Sequence, residues 1–136
     1  MRPILIDTNA YAAFMRGERA IIEVLAHAET LYLNSVVLGE LLGGFAAGSR
    51  EAKNRAELAQ FLRSPRVSVL PITAKTADSY ALVYVDLRRK GQPIPANDLW
   101  IAASALEHGA ALLSLDAHFG QVAGLRQGRS LEDFLP

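Results

Sequence analysis

Four acidic residues lie in surroundings that are otherwise apolar, which is an unusual place for a charge: Asp7, Glu40, Asp98 and Asp116. If the fold brought these carboxylates together, they would repel one another and some would be forced to protonate. A divalent cation removes that repulsion, and Mg²⁺ or Mn²⁺ suits a site built from Asp and Glu oxygens. Such an ion supports phosphodiester hydrolysis, because it activates water and stabilises charge on a phosphoryl oxygen.

Asp7 and Asp116 each follow a short apolar run of the kind that forms a buried parallel strand. Ligand sites in open α/β sheets gather where such strands end, so both carboxylates are expected at that edge. The alternative is that each aspartate only caps the helix or turn that follows it, since Asp is a preferred N-cap residue. Either residue taken alone is consistent with both interpretations.

Glu40 and Asp98 lie within predicted helices. Glu40 is five positions beyond Ser35, the predicted N-cap, which is too deep for a capping-box glutamate. The alternative for Glu40 is a place on a solvent-exposed stripe of its helix. Asp98 lies in the first turn of another apolar helix, where the helix dipole favours an acid. Asn97 is the better N-cap candidate, which would leave Asp98 free to bind a ligand.

Short apolar runs alternate with helical patterns along the chain. The predicted strands are 3–6, 31–34, 67–72 and 111–115, with a last short strand near 122–125. The predicted helices are 8–16, 19–28, 36–47, a segment capped by Ser49 that ends near 63, 74–89 and 97–108. This alternation implies right-handed crossovers and a mainly parallel sheet. We therefore predict an α/β fold, a three-layer α/β/α sandwich with short strands, in a single domain of residues 1–136.

One face of the segment 74–89 is predicted to meet the core, because apolar residues recur there at helical spacing: Ala77, Tyr80, Ala81, Tyr84 and Leu87. Both tyrosines are therefore interpreted as packing residues and not as platforms for base stacking. Trp100, in the following helix, is also assigned to the core.

The composition fits a packed globular domain and excludes several other classes. Hydrophobic residues make up 51% of the chain and charged residues 21%, which is too apolar for a disordered protein. The 14 basic residues balance the 14 acidic ones, which argues against bulk attraction to nucleic acid but not against a local basic patch. The absence of cysteine excludes disulfides and thiolate metal sites.

The first apolar run is interrupted by Asp7, too early for the hydrophobic region of a signal peptide. No apolar stretch of the sequence is long enough to span a bilayer. We therefore expect a cytoplasmic protein without a membrane segment.

The four acids and their neighbours resemble the successive acidic motifs of PIN domains. The motifs are Asp7-Thr8-Asn9, the mid-helix Glu40, the segment 97–103 (Asn-Asp-Leu-Trp-Ile-Ala-Ala) and the segment 113–119 (Leu-Ser-Leu-Asp-Ala-His-Phe). The pattern is most similar to that of the VapC-type toxins, and it covers nearly the whole chain.

The resemblance implies that the four acids are catalytic and hold Mg²⁺ or Mn²⁺. Asp7 and Asp98 would be the principal ligands, and Glu40 would complete the pocket. Asp116 would be the fourth acid, at the position that varies most in the family. Three further residues would support the pocket, with the Thr8 hydroxyl bonded to a carboxylate: Thr8, Asn9 and Ser114.

The resemblance also implies a function. Proteins of this subtype cut structured RNA such as tRNA or ribosomal RNA, and they usually dimerise. A small antitoxin inhibits them by placing a basic residue in the acidic pocket. We therefore expect a metal-dependent endoribonuclease that acts as the toxin of a type II toxin–antitoxin system, forms a homodimer and binds a cognate antitoxin.

Three other functions are alternatives to that of a toxin ribonuclease. A phosphatase of the haloacid dehalogenase class would need a second acid two positions after Asp7, where this chain has Asn9, and a lysine in a late motif, which it lacks. A housekeeping PIN nuclease without an antitoxin would carry the same acids. A non-catalytic PIN module that binds RNA or protein would have no need for a pocket that is costly in electrostatic energy.

An acidic pocket needs basic residues nearby to hold phosphates. The candidates are Arg50, Lys53, Arg55, Arg63, Arg66 and the run Arg88-Arg89-Lys90. Each of them, taken alone, also fits a solvated helix face. His118 lies close after Asp116, but it is interpreted as a surface or turn residue because the three histidines share no ligand spacing.

Overall fold

A five-stranded parallel sheet forms the centre of the computed structural model, which describes residues 1–136. The strands are β1 Ile4–Ile6, β2 Leu31–Asn34, β3 Val67–Leu70, β4 Ala111–Leu113 and β5 Gln127–Gly128. Their order across the sheet is β3-β2-β1-β4-β5, and each neighbouring pair is parallel. The strand order therefore reverses beside β1, and such a reversal point is where open α/β sheets form ligand clefts.

Six α-helices flank the sheet: α1 Thr8–Met15, α2 Arg19–His27, α3 Ser35–Ala47, α4 Glu51–Leu62, α5 Ala74–Arg89 and α6 Ala96–Glu107. Two short 3₁₀ helices follow at Ala117–Gln121 and Leu131–Phe134. The predicted three-layer α/β/α sandwich with a parallel sheet is confirmed. None of the helices combines the length and the apolar character needed to cross a membrane.

β1 and β4 lie side by side in the most buried part of the core. Every residue of β1 is fully buried, and the residues of β4 are buried as well. Strands covered on both faces have no solvent-facing side, so they are apolar throughout and do not alternate. This explains why both strands could be recognised in the sequence, and it places the residues that follow them at one edge of the sheet.

The predicted caps of three helices are wrong. α3 is capped by Asn34, whose side chain accepts a hydrogen bond from the Val37 N–H at 2.8 Å, while Ser35 is the first helical residue. Asn34 is favoured over Ser35 as the cap because its amide group also donates a hydrogen bond to the Ser104 hydroxyl on α6, at 3.0 Å.

The other two helices begin without a side-chain cap. α4 has Arg50 at its N-cap position instead of Ser49. α6 begins at Ala96 after Pro95, so Asn97 lies inside the first turn and is not its cap. Proline has a fixed φ that suits the entry to a helix, which explains the earlier start.

The strand predicted near 122–125 is also wrong. Gly124 has a φ of 79°, which turns the chain within that segment. The last strand is instead β5, which pairs with Leu112 and Leu113 of β4.

The prediction for the core face of α5 is largely wrong. The buried residues are Thr76, Val83 and Leu87, and Tyr80 is half-buried where it packs against Trp100 of α6 with 4.2 Å between ring centroids. The other residues assigned to the core face are exposed: Ala77, Ala81 and Tyr84. Leu82 and Val85, on the face opposite the buried one, are exposed by 75% and 40%. α5 therefore has apolar residues on two faces, and its α6-packed face is the buried one.

Candidate active site

Asp7 lies at the C-terminal end of β1 and is only 4% exposed. Its backbone N–H donates to Leu113 O of β4 at 2.9 Å, which continues the strand pairing to the edge of the sheet. Both carboxylate oxygens accept hydrogen bonds, Oδ1 from the Thr8 N–H at 2.8 Å and Oδ2 from the Ser114 hydroxyl at 2.7 Å. The side chain is therefore held in one orientation.

Glu40 reaches the same edge from α3. Its Oε1 accepts a hydrogen bond from the Thr8 hydroxyl at 2.5 Å, and its Oε2 accepts one from the Asn97 amide at 3.3 Å. These two contacts join α3 to the first turns of α1 and α6. Glu40 therefore does not lie on an isolated wet stripe of its helix.

Asp98 and Asp116 are joined by the ring of His118. The distance from His118 Nε2 to Asp98 Oδ2 is 2.6 Å, and that from His118 Nδ1 to Asp116 Oδ1 is 2.8 Å. One ligand atom of each residue lies within 4.8 Å of the others, a spacing compatible with a shared metal ion. The first turn of α6 and the turn after β4 thus meet at this point.

Asn9 and Ser114 organise the chain segment that follows β4. Asn9 Oδ1 accepts a hydrogen bond from the Leu115 N–H at 2.9 Å. The Ser114 hydroxyl, which donates to Asp7, accepts one from the Asp116 N–H at 3.0 Å. These bonds fix the position of Asp116 relative to Asp7.

The carboxylates interact electrostatically. Burial raises the pKa of Asp7, and the hydrogen bonds from Ser114 and Thr8 oppose that rise, while the charges of Asp98 and Glu40 add to it. Burial is also the main cause of the raised pKa of Asp98. His118 opposes that rise, and nearby carboxylates, among them Asp116, add to it. The four acids therefore form one anionic cluster.

The donor set fits a hard divalent cation. It consists of carboxylate oxygens with one imidazole nitrogen and no sulfur, which excludes the soft metals that prefer thiolates. Burial, together with the neighbouring carboxylates, raises the pKa values of Asp7 and Asp98, so a bound cation would stabilise their charged forms.

Two of the acids cap a helix and also lie in the acidic cluster. Asp7 is the N-cap of α1, and Asp116 is the N-cap of the 3₁₀ helix Ala117–Gln121. Each cap uses a single carboxylate oxygen toward the backbone. Capping therefore orients these side chains within the cluster and is not an alternative to it.

Sequence reasoning missed two residues of the cluster, Asn97 and His118. Asn97 was assigned to capping, yet its amide contacts Glu40. His118 was assigned to the surface or a turn, yet it contacts two acids. The only signal in the sequence was the proximity of each residue to an acid, and that signal did not show where the ring or the amide would point.

The basic residues named as RNA contacts differ in their availability. Arg66 is not free for RNA, because its guanidinium donates to the backbone carbonyls of Leu25 and Ala28 at the end of α2. Lys90 forms a salt bridge with Asp86 at 2.8 Å. The remaining candidates are exposed: Arg50, Lys53, Arg55, Arg63, Arg88 and Arg89.

Comparison with known proteins gives consistent matches. The family model described as "PIN domain" matches residues 4–125. Ribonuclease VapC1 of Rickettsia felis is 31% identical over 125 residues, which cover 90% of this chain and 92% of that protein. VapC ribonuclease Y4jK of Sinorhizobium fredii is 32% identical over 131 residues, which cover 90% of this chain and 93% of that protein.

Solved structures show the same likeness. A chain in the crystal structure of VapBC2 from Rickettsia felis, bound to a DNA fragment from its promoter, superposes with a TM-score of 0.81 and 27% identity, covering 93% of this chain and 97% of that one. VapBC-5 from Mycobacterium tuberculosis, a member of the VapBC family of toxin–antitoxin systems, shares the fold with a TM-score of 0.73 and 22% identity, covering 94% of this chain and 97% of that one. The chain therefore belongs to the PIN-domain family and, within it, to the VapC group.

Proposed function

We propose that this chain is a metal-dependent endoribonuclease and the toxin of a type II toxin–antitoxin system. The observation that carries the proposal is the convergence of four carboxylates from separate elements around the buried Asp7. A cluster of this kind costs electrostatic free energy, and divalent-cation chemistry gives it a use. The curated relatives in the VapC group are named ribonucleases, which supports the same conclusion.

The residues proposed to hold Mg²⁺ or Mn²⁺ are Asp7, Glu40, Asp98 and Asp116, with His118 beside them. When bound, such an ion activates water and stabilises charge that develops on a phosphoryl oxygen. The supporting residues set the geometry. Thr8 and Ser114 hold one acid each through their hydroxyl groups, and Asn9 fixes the segment after β4.

The proposed substrate is structured RNA of the tRNA or ribosomal RNA class, in the cytoplasm. A cognate antitoxin would inhibit the protein by placing a basic side chain among the four acids, where a cation is favoured. Solved relatives are VapBC complexes, which supports an antitoxin partner.

We also propose a homodimer, supported by the exposed face of α5. Leu82 and Val85 lie there between Asp78 and Arg89, and the spacing of four, three and four residues keeps all of them on one side of the helix. Neither of these charged residues forms a salt bridge within the chain. In an antiparallel pair of α5 helices, Leu82 would meet Val85 of the second copy, and Asp78 would meet Arg89 of the second copy.

The decisive experiment incubates the purified protein with total RNA and Mg²⁺ or Mn²⁺, and maps the new RNA ends. We expect cleavage that EDTA abolishes and that Asp7→Asn reduces by at least about 100-fold, within the range for loss of a catalytic group. Glu23→Gln is the matched control, because it removes the same charge from an exposed position on α2, away from the acidic cluster and from the proposed dimer face. Cleavage that persists in EDTA, or in Asp7→Asn, would overturn the proposed chemistry.

A housekeeping PIN nuclease is the main alternative, because its site would have the same geometry. A short adjacent reading frame that encodes a DNA-binding protein would favour the toxin. A non-catalytic PIN module would bind RNA or protein without metal-dependent cleavage, and the same assay would reveal it.

A further inference from the structure

A cavity of about 150 Å³ lies between the end of α5 and the start of α6. It is lined by Tyr84, Leu87, Arg88, Pro93, Ile94 and Leu99. Leu99 directly follows Asp98, so the cavity and the cluster share the first turn of α6. Pockets for whole small molecules measure about 300–1,000 Å³. This cavity is therefore suited to one ring of a larger ligand, and we call it the ring pocket.

Tyr84 and Arg88 give the ring pocket its chemical character. Arg88 Nη1 donates to the Tyr84 hydroxyl at 2.9 Å, and the guanidinium carbon lies 6.0 Å from the centre of the tyrosine ring. Tyr84 is 42% exposed, and no carboxylate pairs with Arg88. An accessible aromatic ring and an available positive charge therefore lie side by side.

The orientation of the Tyr84 ring is also restricted by neighbouring aromatic residues. Its ring is nearly parallel to that of Tyr80, at 12° and 6.3 Å between centroids, and Tyr80 packs on Trp100. A platform whose orientation is fixed before binding loses little entropy when a base stacks on it. Stacking of this kind accepts any base, because every base has a π-face.

We propose that the ring pocket binds an unpaired nucleobase of the RNA substrate, which stacks on Tyr84 while Arg88 contacts an adjacent phosphate. The proposal rests on the proposed function, because it places this nucleotide on the RNA that the acidic site would cut. An RNA is favoured over an apolar peptide because Arg88, which pairs with no carboxylate, complements a polyanion. The stacking also explains why an aromatic side chain remains exposed on this part of α5.

The test measures RNA binding separately from cleavage. A fluorescently labelled RNA hairpin with an unpaired loop is titrated with protein in EDTA, and its anisotropy is recorded. We expect Tyr84→Leu to weaken binding about 5- to 150-fold, the range for one stacked base. Tyr84→Phe keeps the ring and should bind nearly as well as the wild type. A fully paired duplex should not distinguish the three proteins.

The contribution of Arg88 is measured through salt dependence. Arg88→Ala should reduce the slope of log affinity against log salt concentration by about 0.7, the value for one phosphate contact with a single strand. Arg19→Ala on α2 is the charge-matched control and should leave the slope unchanged. An unchanged slope in Arg88→Ala would overturn the phosphate contact.

Abasic nucleotides identify the stacked base. Replacing the loop nucleotides one at a time should weaken wild-type binding most at one position, and Tyr84→Leu should be insensitive there. If Tyr84→Leu is folded by circular dichroism and binds RNA as tightly as the wild type, the ring pocket belongs to another partner such as a protein. Cleavage by the wild type would still stand in that case, whereas a wild type that neither binds nor cuts RNA would overturn both proposals.

Discussion

The Ser114 hydroxyl donates a hydrogen bond of 2.7 Å to Asp7, although 107 positions of sequence separate the two residues. It joins the ends of neighbouring strands β1 and β4. Because Ser114 also accepts from the Asp116 N–H, one side chain orients two of the four acids.

Ser114→Ala is expected to lower the affinity for Mn²⁺, or the ribonuclease activity, by about 10–100-fold, the usual effect of removing a group that orients a ligand. Isothermal titration with Mn²⁺ measures the change directly. Ser68→Ala, at an exposed position of β3, is the control. Equal Mn²⁺ affinity in Ser114→Ala and the wild type would remove the orienting role from Ser114.

Asp7→Asn is expected to raise the midpoint of thermal unfolding in EDTA, because it removes one charge from a buried, mutually repulsive cluster. Mn²⁺ should stabilise the wild type, by about 2.7 kcal/mol at a free concentration 100 times the Kd. The variant should respond much less. Scanning calorimetry with and without Mn²⁺ checks both effects, and an equal response of the two proteins would argue against Asp7 as a ligand.

Gly128→Ala is expected to destabilise the fold by about 1–3 kcal/mol, the usual cost of overpacking. A Cβ atom at position 128 would lie 2.3 Å from Asp133 Cβ, so β5 or the last 3₁₀ helix must move. Gly128 O also accepts from the Ser114 N–H, so the movement should lower Mn²⁺ affinity as well. Gly120→Ala, which meets no atom within 4 Å, is the control in urea unfolding.

Asp133→Asn tests a dependence of stability on pH. The Arg129 N–H is the main cause of the lowered pKa of Asp133, and the Ser130 N–H and hydroxyl lower it further. Because the folded pKa lies below the unfolded value, the charged form adds stability above the unfolded pKa of about 3.9, and this stability is lost as pH falls through the folded pKa. Solvent screening at this exposed site limits the gain to about 1 kcal/mol or less. Urea unfolding from pH 7 downward should show the variant less stable at neutral pH, with the difference vanishing in acid.

Leu82→Glu is expected to convert the proposed homodimer to a monomer, since it places a charge in the centre of the apolar face. Light scattering should show the mass falling from about twice 14.7 kDa to that value. Ile22→Glu, an exposed apolar position on α2, is the control.

Charge reversal tests the arrangement of that homodimer. Asp78→Arg should weaken association, and the double variant Asp78→Arg/Arg89→Asp should restore it. A wild type that is monomeric at high concentration would contradict the proposal. Failure of the double variant to recover would contradict the antiparallel arrangement of α5.

The secondary-structure elements with the clearest apolar patterns were the easiest to predict from the sequence. β2 and α5 were predicted with their observed bounds, because their periodic or continuous apolar patterns extend to clear boundaries. Glu40 and Asp98 were recognised as candidates because an acid in an apolar helix needs an explanation. Whether these two residues meet in space depends on the order of the strands in the sheet. The local sequence alone does not determine that order.

Other features depend on tertiary contacts that no local pattern encodes. Asn34 and Ser35 are both good caps, and the bond from Asn34 to Ser104 decides between them. α5 is apolar on opposite faces, so helical spacing alone could not identify the face that packs on α6. The position of His118 depends on the turn that Asp116 caps, which returns the ring toward Asp98.

The pairing of β1 with β4 has a consequence for synthesis of the chain. On the ribosome, β1 emerges before the other four strands, but its neighbour on one side begins only at Ala111. A nascent chain that has not reached this point lacks both Ser114 and Asp116. Asp7 is then without the hydrogen bond from the Ser114 hydroxyl, and the cluster is without its fourth acid. The acidic centre can therefore be completed only after the segment that carries Ser114 and Asp116 has been translated.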